Sequence, residues 1–307
     1  LSALLVATLL VTMFAQFIGL TLHSLVPLYF LTLFLSSLVC DILLYRLRPE
    51  PQRLTGFYIM LALGGALGGI FVSFVAPILF NDFWEMSLGI LLGALVALAV
   101  IHAFLKPKFS LQAAAFLLLS MAAFMAYNLI LSQGSVASSV RNFYGVLKVK
   151  KIYYGKSLDL YALYNGDILH GSQFSEGGFS HFEPTTYYTR GSGIGLVLEN
   201  HPKRLSGSGM RVGTVGLGVG TLAAYCQQPD YFRFYEINPA VVELAETTFS
   251  YLKNCKGQAE VALGDARVSM EKELLKGRAQ NFDILVVDAF TDDSIPVHLL
   301  TREAIQL

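Results

Sequence analysis

Apolar side chains fill long blocks through roughly the first 132 residues, broken only by short polar clusters, and beyond about residue 140 they fall into brief alternating runs. A helix needs about 20 apolar residues to cross the hydrocarbon core of a bilayer. Stretches of that kind lie at about 3–22, 25–45, 54–80, 85–104 and 110–132, and they predict about five spans in a helical membrane domain over residues 1–135. His23-Ser24, Arg46 to Arg53, Asn81-Asp82 and Lys106-Pro107-Lys108 separate them. Gly64 and Gly68, Gly65 and Gly69, and Gly89 and Gly93 recur at the spacing that lets helices pack closely in lipid. His23, Asp41 and His102 sit near span ends, where an ionisable group reaches the interface. Packing rather than a conduction path is therefore expected of this half.

The second half reads differently. Phe143 to Val149 and Leu158 to Tyr164 alternate with β-branched and aromatic content, and Asn165-Gly166 then precedes Asp167 to Phe174. An Asn-Gly pair between two such runs is the strongest local hairpin signal. A small antiparallel β domain is expected over residues 140–180. Pro184 suits a first helical position, which would place Tyr187 and Tyr188 on the first turns of a helix reaching toward Leu198.

Over residues 181–307 the runs predict an α/β domain with a parallel sheet. Arg211 to Val215 is a short apolar strand entering Gly216-Leu217-Gly218-Val219-Gly220, where glycines let the backbone turn tightly and approach a ligand. Thr221 stands where a dinucleotide fingerprint would carry its third glycine, which disfavours that reading. Three further strands each end in an acid: Tyr231 to Tyr235 in Glu236, Glu260 to Leu263 in Gly264-Asp265-Ala266, and Phe282 to Val287 in Asp288. Open α/β sheets bind ligands at the carboxyl ends of their strands. Glu236 lies about twenty residues after the first glycine, the place of a carboxylate that grips ribose hydroxyls. Asp265 is suited to accept from an adenine amino group, and Asp288 points at the chemistry.

Charge narrows the classes further. Only 14% of residues are charged, well below the roughly 25% of soluble domains, and Lys+Arg 22 cancel Asp+Glu 22. No basic field exists to hold a nucleic acid. Cys40 lies in an apolar run, and Cys226 and Cys255 have no CxxC or His-rich neighbourhood, which argues against both a metal site and a disulfide framework. The first residue is Leu, with no charged stretch before the apolar run, so the chain is expected to begin within a longer protein.

These residues together resemble the spermidine synthase family, and more closely its membrane-fused bacterial branch. The resemblance covers roughly Arg141 to Leu307. It runs through Arg141 to Gly145, Asn165-Gly166 with His170-Gly171-Ser172-Gln173, Pro184 with Tyr187-Tyr188, and the Gly216 to Gly220 loop. It continues in Tyr235 to Pro239, Gly264-Asp265-Ala266, and Asp288-Ala289-Phe290 to Ile295-Pro296. It implies a Rossmann-like, methyltransferase-type fold that binds decarboxylated S-adenosylmethionine, or S-adenosylmethionine itself, as co-substrate and uses no metal. Gly216, Gly218, Gly220, Glu236, Asp265, Ala266 and Gln173 would bind it. Asp288 would orient and deprotonate a putrescine-like amine acceptor, with Tyr187 or Tyr188 bonding the amine or walling its pocket, and methylthioadenosine would leave.

Two departures leave other readings open. The family commonly carries an acid inside the glycine loop where this chain has Val219, and its DEF stretch is replaced by Ser175 to Phe179. Amine-independent release of methylthioadenosine, methyl transfer, or a non-catalytic sensor or transporter thus remain alternatives. Asp292 and Asp293 fall in the segment that resembles the family's gating loop. A full methyltransferase-like sheet has about seven strands and only four are found, so further residues beyond Leu307 are expected, and a homodimer is allowed. The expected placement is the bacterial inner membrane. The positive-inside rule with three crossings after Arg53 would put the second half outside, whereas the cytosolic co-substrate places it in the cytoplasm, and the co-substrate is followed.

Overall fold

A computed structural model describes residues 2–18, 21–105, 115, 118–124, 126–127, 130, 134–154, 158–175, 181–290 and 295–307. The chain divides into two compact units, Leu1–Gly134 and Ser135–Leu307.

In the first unit, helices α1 (Ser2–Ile18), α2 (Leu22–Arg46), α3 (Leu54–Ile70), α4 (Ala76–Leu79) and α5 (Trp84–Leu105) follow the apolar blocks. Three helical stretches among the described residues are long and apolar enough to cross a membrane: His23–Arg46, Pro51–Leu79 and Trp84–His102. The first block forms the 17-residue α1, and most of the block at 110–132 lies outside the described residues. Leu5 and Leu9 of α1, Leu35 and Val39 of α2, and Ala94 and Ala97 of α5 share one buried cluster. Thr12 of α1 and Thr32 of α2 bond hydroxyl to hydroxyl at 2.9 Å across it. Between α3 and α4 the chain widens into a π turn, Phe71–Val75. Pro77 accounts for it, since it brings no N–H and its ring crowds the carbonyl four residues back.

The second unit holds two sheets. Strands β1 (Val136–Asn142), β2 (Gly145–Tyr154), β3 (Leu158–Asn165) and β4 (Ile168–Phe174) form an antiparallel sheet in chain order. β1 is an addition to the expected hairpin, because its Ser138 and Ser139 hide the alternation. Phe143 and Tyr144 are the turn between β1 and β2 rather than strand, with Asn142 opposite Gly145. The turn between β3 and β4 is Gly166-Asp167, one residue later than expected: Asn165 still pairs with Ile168, and Gly166 takes positive φ, at 58°.

The other sheet is parallel: β5 (Arg211–Val215), β6 (Tyr231–Glu236), β7 (Gln258–Leu263) and β8 (Ile284–Val287), in the order β7-β6-β5-β8. β5 is buried from Val212 to Val215, as suits a central strand covered on both faces. Val212, Phe232 and Phe234 share one core with Leu147, Val149 and Leu163 of the antiparallel sheet. Each such side chain contributes about 1.5–3 kcal/mol on burial.

Helix α6 (Gly193–Asn200) begins later than Pro184 predicts. Thr186 takes positive φ, Thr186–Tyr188 makes a single 3-10 turn, and Ser192 caps a fresh helix by accepting from the Gly195 amide at 3.2 Å. Helices α7 (Pro202–Leu205), α8 (Pro239–Thr247), α9 (Ala266–Leu275) and α10 (Arg302–Ile305) follow. Cys226 and Cys255 are joined as a disulfide, against the sequence expectation. Their pairing is set by topology, as the Lys256 amide donates to the Cys226 carbonyl at 3.2 Å.

Asp230 ties the turn before β6 together. Its carboxylate is almost fully buried, accepts from the amides of Met210 and Gln227 at 3.0 and 2.9 Å, and pairs with Arg204 at 2.8 Å. Removing one partner of a buried pair costs about 3–5 kcal/mol. Asp230→Ala in the detergent-solubilised chain should therefore speed amide exchange at Met210 and Gln227 by about a hundredfold or more, and unchanged exchange would show that Asp230 carries none of the stability assigned to it.

Candidate active site

The parallel register sets the site. Val215 lies opposite Tyr235 and Val287, and Glu236 opposite Leu263, so Gly216, Glu236 and Asp288 leave their strands at one level. Backbone bonds carry that level past the strand ends: Gly216 N to Tyr235 O, Asp288 N to Val215 O and Gly264 N to Glu236 O, each 2.8 Å. Strand order then fixes a lateral sequence along the carboxyl edge of Asp265, Glu236, Gly216 and Asp288. Neighbouring strands are about 4.8 Å apart, so the axes of the outer two strands, β7 and β8, lie roughly 14 Å from each other. The strand order reverses beside β5, the switch point at which open α/β sheets take their ligands.

One cavity of about 200 Å³ is lined by Gly216, Gly218, Glu236, Asp265, Ala266 and Asp288, which gathers six of the sequence-derived residues. Gly216 and Gly218 are glycines for steric reasons. Their φ values are 97° and 55°, and a Cβ would fall 2.3 Å from the Asp288 carbonyl oxygen and 2.6 Å from that of His170. The remaining four do not line this cavity. Gly220, at φ 80°, backs against Leu252. Gln173 is buried in a structural junction, donating to His181 O at 3.0 Å and Ser250 Oγ at 2.8 Å and accepting from the Ser250 amide at 2.9 Å. Tyr187 and Tyr188 reach the site through their hydroxyls alone.

Both tyrosines donate to the same oxygen, Asp288 Oδ2, Tyr187 from 3.3 Å and Tyr188 from closer still. Among the described residues nothing donates to Oδ1. Burial first, and then the Asp288 charge, push both phenols well above their ordinary range, which keeps them protonated donors. Burial likewise pushes the Asp288 carboxyl up, outweighing the Tyr188 and Tyr187 bonds and the nearby His170, which all favour the carboxylate. The tyrosines are held from behind. Tyr225 Oη donates to Tyr188 O at 2.6 Å, Tyr251 Oη to Glu183 O at 2.8 Å, and Thr185 Oγ1 to Ser172 O.

Glu236 is buried, with Oε2 accepting from the Leu217 amide at 3.0 Å and Oε1 from the Asn238 amide at 2.8 Å. Burial raises its pKa although those amides pull it down. Asp265 caps α9 through Oδ1, which accepts from the Val268 amide at 2.9 Å, while Oδ2 meets His298 Nε2 at 2.8 Å. Burial works against its charge, but the Val268 amide and His298 prevail and hold the carboxyl below its usual value.

Val219 is a core residue, packed on Gly171, whose added Cβ would lie 2.7 Å from Val219 Cγ2. Residues 176–180, and Asp292 and Asp293, lie outside the described residues. The sequence assigned no site role to His170, Tyr144, Asn165 or His298, which also line the cavity, although the first three fall in the motifs of the resemblance. For His170 a signal existed, a lone histidine in the short strand Ile168–Phe174 that the resemblance covers. His298 stands two residues after Pro296 and carried none.

No family model matches the chain. Over 116 residues it is 33% identical to a polyamine aminopropyltransferase of Vibrio vulnificus (strain CMCP6), an alignment that covers 38% of this chain and 36% of that relative. The chain spans about a third of the length of the curated relative it matches.

The shared oxygen makes the Asp288 titration a direct readout of the tyrosines. Because Tyr188 favours the carboxylate, Tyr188→Phe leaves burial less opposed, and the Asp288 carboxyl should titrate at a higher pH than in the parent. Carboxyl-band infrared titration of the two proteins checks the direction, and a shift downward would refute the assignment.

Proposed function

We propose that residues 135–307 form a Rossmann-like aminopropyltransferase, comprising the β domain over 140–180 and the α/β domain over 181–307, carried by a chain anchored in the bacterial inner membrane through the helices before it. The supporting observation is the ordered edge of Asp265, Glu236, Gly216 and Asp288 around one cavity. The partial likeness to a polyamine aminopropyltransferase points the same way.

In this reading decarboxylated S-adenosylmethionine lies along the edge. Asp265 and Ala266 meet its base, and Glu236 meets the ribose hydroxyls. Its sulfonium end comes past the glycine loop to Asp288. The bond from sulfur to the aminopropyl carbon breaks as the acceptor nitrogen attacks that carbon, and the thioether leaves neutral as methylthioadenosine, so no leaving-group acid is needed. The difficulty is the acceptor. An alkylamine with a pKa near ~10.4 must lose a proton at neutral pH, which costs roughly 4–5 kcal/mol. Asp288 meets that demand as general base and anchor: its Oδ1 takes the amine proton while Oδ2 stays fixed by Tyr187 and Tyr188. Its raised pKa brings it nearer the amine's. The cytoplasm supplies the co-substrate in this scheme.

A second reading keeps the nucleoside and drops the acceptor. It is favoured by Val219, which contributes core packing where the family commonly carries an acid. Water, or the carboxylate of intact S-adenosylmethionine, would then attack.

Product analysis separates the two. The solubilised chain, given either sulfonium donor with and without putrescine, should release methylthioadenosine only when the amine is present. Amine-independent release would establish the cleavage reading instead, and S-adenosylhomocysteine would establish methyl transfer. Asp288→Asn should lower turnover by about 10²–10⁴ with nucleoside affinity nearly kept. Glu236→Ala should lose affinity by about ten- to a hundredfold, as expected for bonds to a buried charge. An unimpaired rate in Asp288→Asn would remove Asp288 from the chemistry.

A further inference from the structure

Nothing in the sequence-derived site accounts for His298. The residue lies in a short 3-10 turn, Val297–Leu299, and lines the cavity beside Asp265, Ala266 and Leu299. Its Nε2 meets Asp265 Oδ2 at 2.8 Å. The turn is tied down from its other side. Arg267 Nη1 donates to the His298 carbonyl at 3.1 Å and to Thr301 Oγ1 at 3.2 Å, and Thr301 caps α10 by accepting from the Ala304 amide at 3.2 Å. Arg267 is itself oriented by Glu271 at 3.0 Å. The imidazole therefore comes from a turn that Arg267, on the first turn of α9, holds by its backbone at His298 and by the Thr301 side chain.

The consequence falls on Asp265. Its Oδ1 is fixed by the Val268 amide. A carboxylate with one oxygen bonded can still turn about its terminal torsion, which is broad. The second bond, from His298 to Oδ2, removes that freedom and sets the plane of the group. Each carboxylate oxygen accepts two hydrogen bonds, so Oδ2 keeps one lone pair, in a direction that His298 determines.

We propose that His298 is a positioning residue for base recognition: it sets the Asp265 carboxylate so that the remaining lone pair of Oδ2 accepts from an exocyclic amino group, which makes the cavity selective for a 6-aminopurine nucleoside over its 6-oxo counterpart. The inference rests on the nucleoside reading above and deepens it. A 6-oxo group presents an acceptor to an acceptor, and the oriented carboxylate repels it. With His298 absent the carboxylate turns away, and both bases meet a less defined partner.

Calorimetric titration of the detergent-solubilised chain with methylthioadenosine and with its 6-oxo analogue, methylthioinosine, tests this. The parent should prefer the amino form. His298→Ala should cut that preference by about three- to tenfold, the range of one oriented hydrogen bond, chiefly through weaker binding of the amino form. His298→Gln keeps a side-chain N–H donor and should restore most of the preference. An unchanged ratio in His298→Ala overturns the proposal, as does an equal loss for both nucleosides, which would mark a purely structural role. Binding of neither nucleoside by the parent would instead sink the nucleoside reading itself.

Discussion

At Gly216 the backbone of one strand end lies against that of another so closely that no side chain could stand between them. An added Cβ would sit 2.3 Å from the Asp288 carbonyl, and at Gly218 the same holds against His170 on the antiparallel sheet. These two approaches draw β4, the β5 loop and the end of β8 around one hollow. Positive φ at both glycines turns the loop without strain. Larger residues here would push apart elements contributing Asp288, His170 and the loop amides together.

Around that close approach the site divides its labour by strand. Parallel registry brings acids from separate β-α units to one level, and strand order spaces them along the carboxyl edge. Each acid is then specialised by what it bonds. Glu236 accepts from two backbone amides in a buried setting, Asp265 caps a helix and holds an imidazole, and Asp288 takes two phenols on a single oxygen. The same side-chain chemistry thus yields three different environments. Carboxyl pKa values follow, raised at Glu236 and Asp288 by burial and lowered at Asp265 by its donors.

How far the sequence foretold this depends on which signals were local. Apolar block length announces membrane-capable helices, and a strand that stops at an acid announces the edge, because each property is written in consecutive residues. β1 escaped because Ser138 and Ser139 interrupt its alternation, and the helix expected at Pro184 failed because Ser192 caps a later start. The family resemblance made Gln173 a ligand contact, yet its amide is occupied by Ser250 and His181 O. The Tyr225 and Tyr251 bonds that brace Tyr188 and Glu183, the Cys226 to Cys255 bond and the His298 contact join segments far apart in sequence. No window along the chain displays such pairings, since only the tertiary path creates them.

The two phenols on Asp288 Oδ2 carry a last implication, for regiochemistry. In the proposed transfer, a carboxylate holding two phenols on one oxygen would meet the acceptor nitrogen through its other oxygen. An acceptor with two identical ends would be presented one end at a time and would have to withdraw and reverse before its second nitrogen could react. Successive additions to one molecule would then be separate encounters rather than a processive series.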